Sequence, residues 1–193
     1  MPLSEPPASL DGFPELPWAG LLYRIHRRGL SPLYFSNTGH GRFDLSPPEG
    51  TLYGSASELG SFIEVFRSTL IPMPEVEQRR LARLKTKGRL LVLADCTKAE
   101  ARRFGITAAI HSTPDYALTQ RWATAFRRDG FDGIVYLVSH DPSAGIKGYA
   151  IFGSSSDDLF VIDADDLIEE ALIVSAQDTF GVIVVPAAGG LGV

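Results

Sequence analysis

Ser55-Ala56-Ser57-Glu58-Leu59-Gly60-Ser61-Phe62-Ile63-Glu64-Val65-Phe66 is the segment on which the architecture turns. Leu59, Phe62, Ile63, Phe66 and Leu70 recur at the three- and four-residue steps of an amphipathic helix, and Ser55 with Glu58 has the spacing of a capping box. That stripe faces a core and leaves Gly60, Glu64 and Ser68 on another flank. Gly60 lies one turn before Glu64 and carries no side chain, so the helix leaves room for a ligand to approach the carboxylate.

Outward from this helix the pattern changes to period two. Leu21 to His26 reads as a strand with Leu22, Arg24 and His26 on one side and Tyr23 and Ile25 on the other, and Thr51 to Gly54 reads as a brief second strand. Between them, Ser36 to Gly50 is dense in turn formers and suits a substrate-contacting loop with Arg42 in its middle. Further on, Val76 to Lys85 is predicted as a second helix, Leu90 to Ala94 as a buried strand, Glu100 to Phe104 as a short helix, and Thr113-Pro114 as the start of a helix that ends at Gly130. Ile134 to Ser139, Tyr149 to Phe152, Leu159 to Ile162, Leu172 to Val174 and Val182 to Val185 are strand candidates, with a hairpin turn at Ser154 to Asp158. Strands thus outnumber helices late in the chain, which predicts an α+β fold rather than strict alternation of parallel units.

The 193 residues fit one domain. Its expected organisation is a proline-rich extended arm over 1–20, anchored by Phe13 and Trp18, a folded domain over 21–186 and a frayed tail over 187–193. A net charge of −5 excludes a broadly basic face, which argues against nucleic acid as a direct partner. One cysteine, Cys96, cannot form an internal disulfide and reads as an inert buried thiol. No Cys/His spacing suggests a metal, and neither a signal peptide nor a membrane span is visible, so a cytoplasmic protein is expected.

No glycine-rich dinucleotide fingerprint, phosphate loop, nucleophile elbow or paired metal-binding histidines occur. What the sequence offers instead is a series of polar residues in short apolar settings: Leu22-Tyr23-Arg24-Ile25-His26, Gly41-Arg42-Phe43-Asp44, Thr51-Leu52-Tyr53, Phe62-Ile63-Glu64-Val65-Phe66 and Tyr136-Leu137-Val138-Ser139. In this order and spacing the chain resembles the RES domain, a bacterial toxin family named for its arginine, glutamate and serine. The resemblance covers Leu21 to Ser139 and, more weakly, the remainder. It implies an ADP-ribosyltransferase-like core of mainly antiparallel strands with flanking helices, NAD+ as substrate, and a cognate antitoxin of the Xre type with a helix-turn-helix segment, with which the toxin forms an oligomer. The chain departs from the family where an arginine commonly follows the serine: here His140, Asp141 and Pro142 follow Ser139.

With NAD+ as substrate, the residue types acquire roles. Nicotinamide leaves as a neutral molecule and needs no general acid, so one carboxylate, Glu64, suffices to stabilise the positive charge that develops on the ribose. Arg24 and Arg42 suit the pyrophosphate because a guanidinium donates two parallel charge-assisted hydrogen bonds. Tyr53 can stack on the nicotinamide ring and Ser139 can hydrogen-bond the ribose or amide. Singly, each has a bland reading: Arg24 a surface ion pair, Arg42 a loop cation, Glu64 a solvated helix residue, Tyr53 core packing, Ser139 a turn former. His26 reads as a satisfied structural histidine ahead of a general base, and the run Arg79 to Arg89 as a solvated helix face. The expected activity is cleavage of the nicotinamide–ribose bond by hydrolysis or phosphorolysis. The alternatives are mono-ADP-ribosyl transfer to a protein and a catalytically inactive NAD-binding or interaction module.

Overall fold

The computed structural model describes residues 2–186, and the tail expected over 187–193 lies outside them. The described chain runs β1 (Glu15–Trp18), β2 (Leu21–Arg27), β3 (Gly50–Ser55), α1 (Glu58–Val65), β4 (Leu70–Pro72), α2 (Met73–Glu77), β5 (Arg79–Thr86), β6 (Leu91–Asp95), a 3-10 turn (Ala99–Phe104), α3 (Ala109–Ser112), α4 (Tyr116–Arg128), β7 (Gly133–Leu137), β8 (Lys147–Gly153), β9 (Phe160–Leu167), α5 (Glu170–Phe180) and β10 (Ile183–Val185). Eight strands form one sheet in the order β1-β6-β7-β8-β3-β2-β5-β9, in which only β6 and β7 run parallel. The short parallel pair β10-β4 stands apart. The fold is therefore α+β, one domain with a mostly antiparallel sheet.

Alternation along the strands sorts the core. On one face Ala94, Ile134, Tyr136, Ala150 and Phe152 pack under Trp122 and Phe126 of α4. Farther along that face Ile25 packs with Phe62, Ile63 and Phe66 of the first helix segment and with Leu172, Ile173 and Ala176 of α5. The opposite face buries Leu22, Leu52, Leu84, Leu93, Val135 and Ile151. The seam between the first two clusters, where α1 meets β7, holds the polar residues of interest.

The proline-rich opening is extended, as its composition predicts, yet it is also part of the sheet. Glu15 to Trp18 pair with Ala94 to Leu91, and Leu3, Leu10 and Phe13 are buried in the core under α4. The indole N–H of Trp122 donates to the Ser4 carbonyl at 2.8 Å, and the Leu10 amide donates to the Asp129 carboxylate at 2.7 Å.

Four local expectations are corrected. The helix expected over Val76 to Lys85 is the five-residue α2 followed by β5. Ala82, Leu84 and Thr86 are buried at period two, so Arg79 to Lys85 alternate on a strand rather than lining a helix face. Leu172 to Val174 belong to α5, because Leu172, Ile173 and Ala176 close against α1 at helical spacing. The cap of α1 is Ser57, whose hydroxyl accepts from the Gly60 amide at 3.0 Å. Ser55 instead donates to the Lys147 carbonyl at 2.9 Å and fills the space beside Gly60, with Ile146 at 2.6 Å from where a Cβ would stand. Gly60 thus lets α1 sit close on β3 and β8 and leaves no opening for a ligand.

Candidate functional site

Between β2 and β3 the sheet is joined by a single residue pair, Tyr23 opposite Ser55. Beyond it the strands part, and the Ile25 amide turns to the buried Ser61 hydroxyl of α1 at 2.7 Å. Arg24 lies in this gap. Its guanidinium donates to the Tyr53 carbonyl at 3.1 Å, while its Nε is buried without a partner among the described residues. Burial pulls its pKa down to about 10, against small opposing effects of Tyr53 and Tyr34. A cation held this way without a carboxylate is costly to the fold and is what an anion-binding position requires.

The loop between β2 and β3 is knotted on Asp44. Its buried carboxylate accepts from the Ser36 hydroxyl at 2.9 Å, the amides of Gly39 and Gly41 at 3.1 and 3.0 Å, and the Tyr53 hydroxyl at 2.9 Å. A side chain at Gly41 would strike Asp44 and the Tyr53 hydroxyl. The Tyr53 oxygen also accepts from the Phe43 amide at 2.8 Å, so this phenol anchors the loop and its pKa is driven well up by burial and by Asp44. Arg42 is fixed as a result: it donates to the Thr113 carbonyl at 2.6 Å and lies 5.1 Å from the centre of the Tyr116 ring.

Glu64 sits near the end of α1, largely withdrawn from water. Its Oε1 accepts from the Tyr136 hydroxyl of β7 at 3.1 Å, and its Oε2 is buried with no partner among the described residues. Burial raises its pKa, opposed by Arg67, by the Tyr136 hydrogen bond and by Arg42. Arg67 donates to the Glu64 carbonyl at 3.0 Å and reaches the Tyr116 hydroxyl at 3.5 Å. His111 of α3 accepts from the Leu137 amide through Nδ1 at 3.3 Å, and burial together with Arg42 pushes its pKa down to about 4, so it is a neutral ring.

The sequence candidates therefore fall into a chain of contacts. Arg24 touches Tyr53, Tyr53 holds the Arg42 loop, and Arg42 bears on Glu64 together with Arg67. Arg24 and Glu64 are not direct neighbours in this chain. Ser139 lies beyond the end of β7, which stops at Leu137, on an exposed turn. His140 beside it is pushed toward its neutral form by desolvation and by the fields of Arg67 and Arg42. Tyr136, Arg67 and His111 escaped the sequence reading. Arg67 was accessible to it, three residues after Glu64 and so within one turn, whereas nothing local marks which face of β7 carries the site. His26 is structural: its Nε2 contacts Asp165 at 3.0 Å, beside Arg80. Cys96 is buried, with a thiol whose pKa is driven well up by desolvation.

No helix of the described residues is long and apolar enough to cross a membrane, and no cluster of three metal-ligating side chains occurs among them. No curated protein matches the sequence. Among solved structures the fold is similar to a chain of the M. tuberculosis MbcT–MbcA toxin–antitoxin complex, with a TM-score of 0.69, 16% identity, and 86% of this chain and 92% of that one covered. The RES domain model matches residues 21–171, from the first residue of β2 into α5 and across every element that shapes the seam. The chain therefore belongs to the RES-domain family.

Proposed function

We propose that this protein is the toxin of a toxin–antitoxin pair and that it destroys NAD+ by breaking the nicotinamide–ribose bond. The observation that carries the reading is the Glu64 carboxyl: it is withdrawn from water, one oxygen is held by Tyr136, and the other is buried without a partner. As the glycosidic bond breaks, its electron pair goes to the nicotinamide nitrogen, which becomes neutral, and positive charge grows on the ribose ring. A carboxylate in a low-dielectric seam stabilises that charge far more than one in water. Water or inorganic phosphate then bonds to the anomeric carbon and gives up a proton to solvent, yielding ADP-ribose or its 1-phosphate. In this reading the pyrophosphate falls to the forked donors of the buried Arg24 and the tethered Arg42, the nicotinamide ring to Tyr53, and a hydrogen bond to ribose or amide to Ser139. The orphaned Arg24 Nε fits an anionic ligand.

Membership of the RES family and the fold of the toxin–antitoxin neighbour support a cognate antitoxin as partner; that this antitoxin carries a helix-turn-helix segment and that the pair acts in the cytoplasm is part of the proposal. Purified protein incubated with NAD+, with and without phosphate, should release nicotinamide. Glu64→Gln keeps the shape and the Tyr136 contact and should lower the rate about 10²- to 10³-fold. No release by the wild-type protein under either condition would overturn the proposal, and label from NAD+ appearing on protein would identify a transferase instead.

A further inference from the structure

Tyr136 is buried to 2% exposure, and the ring is clamped between two features. On one side Phe43, next to Arg42, packs at 5.1 Å between ring centres. On the other, Gly148 of β8 stands directly opposite in register, and a Cβ there would come within 2.5 Å of the ring carbon that bears the hydroxyl. The phenol therefore has one seat, and from it the hydroxyl points to Glu64 Oε1. A phenylalanine would bury the same ring without a polar atom to satisfy, so packing alone does not account for the hydroxyl.

We infer that Tyr136 is a positioning residue whose hydroxyl fixes the Glu64 carboxylate in one orientation through Oε1, leaving Oε2 without a protein partner, and that Gly148 is required to give the phenol its seat. This rests on the reading of Glu64 as the group that stabilises the ribosyl cation. The hydroxyl donates to the charged form of the acid, so it favours the ionised state that the reaction needs, against the desolvation that opposes it. The charged and titratable groups that bear on Glu64 are Arg67 beyond its own helix, Arg42 from the loop before β3, and Tyr136 from β7. Neither arginine donates to the Glu64 carboxylate: Arg42 bonds the Thr113 carbonyl, and Arg67 the Glu64 backbone carbonyl and the Tyr116 hydroxyl.

Two measurements on the full chain decide the matter. The carboxyl carbon of Glu64 is titrated by NMR in the free protein, and nicotinamide release is followed against pH, for wild type, Tyr136→Phe and Gly148→Ala. Tyr136→Phe should move both the Glu64 titration and the acid limb of the rate profile upward by about one pH unit and lower kcat about tenfold, with KM unchanged within about twofold. Gly148→Ala should reproduce the loss with the hydroxyl still present. If that variant fails to fold, the isosteric Tyr136→Phe is sufficient. An unchanged Glu64 titration in Tyr136→Phe would overturn the inference whatever the activity. A shifted titration in a protein that never releases nicotinamide would sustain the positioning role and defeat the proposed function instead.

Discussion

His111 shows how a single buried ring couples the seam to pH. Its Nδ1 accepts from the Leu137 backbone, and its pKa in the folded protein lies near 4, below the ordinary histidine value of 6.5. The unfolded chain thus binds a proton that the folded one refuses as pH falls through this interval, so the stabilisation is complete above 6.5 and is lost between 6.5 and 4. The loss is at most about 3 kcal/mol. Glu64 acts in the opposite sense, since an acid with a raised pKa gains protons on folding. Urea unfolding at stepped pH should therefore show a gentler acid decline in His111→Gln than in wild type, and parallel curves for the two would refute the linkage. Which residues touch is the part of the site that the sequence conceals. Glu64 and Arg42 stand out through their surroundings in the chain, whereas the Tyr136–Glu64 contact joins residues 72 positions apart and exists only because β7 and α1 are laid together by the sheet.

Among the elements, the parting of β2 and β3 is the decisive event. One residue pair joins them, and the chain fills the gap with a guanidinium and a helix-borne serine rather than with ladder hydrogen bonds. Such a local sacrifice of stability is expected where a fold holds a ligand. Arg24→Met should therefore raise the unfolding free energy by about 1 to 3 kcal/mol, since it removes a buried cation without a carboxylate partner. The same variant should lose the thermal protection that NAD+ gives to wild type. A variant both less stable and still protected would show that Arg24 serves packing alone. Long periodic elements were legible beforehand: α1, α4 and the strands β2, β3, β6 and β8 lie where hydrophobic spacing puts them. The misreadings concern β5 and the start of α5, where short apolar runs satisfy two periods at once and only the neighbouring element decides between them. In β5 the arginines obscured the alternation: Arg79 stands directly opposite Arg27, a like-charge pairing that no local propensity would suggest.

For the molecule as a whole, the opening segment is structural. It adds an edge strand to β6 and sends Leu3, Leu10 and Phe13 into the core under α4. Each such side chain contributes about 1.5–3 kcal/mol by burial, so the joint loss of the three, roughly 5–9 kcal/mol, is comparable with the 5–15 kcal/mol margin of a typical domain. Removal of residues 2–18 should abolish the cooperative thermal transition, and a truncated chain that melts as sharply and as high as the full one would contradict this assignment. Composition revealed that the segment is extended but not where it docks, because its partner β6 lies some 75 residues on in sequence.

The place of β8 at the centre of the sheet has a consequence for biosynthesis. It is the strand that holds β3 to β7 and supplies the empty position at Gly148. A ribosome that has not yet translated Lys147 carries a chain with every arginine, tyrosine and glutamate of the seam already made, yet with no surface on which to assemble them. Assembly of the seam should therefore be abrupt, following the emergence of β8 from the ribosome rather than growing in step with the strands made before it.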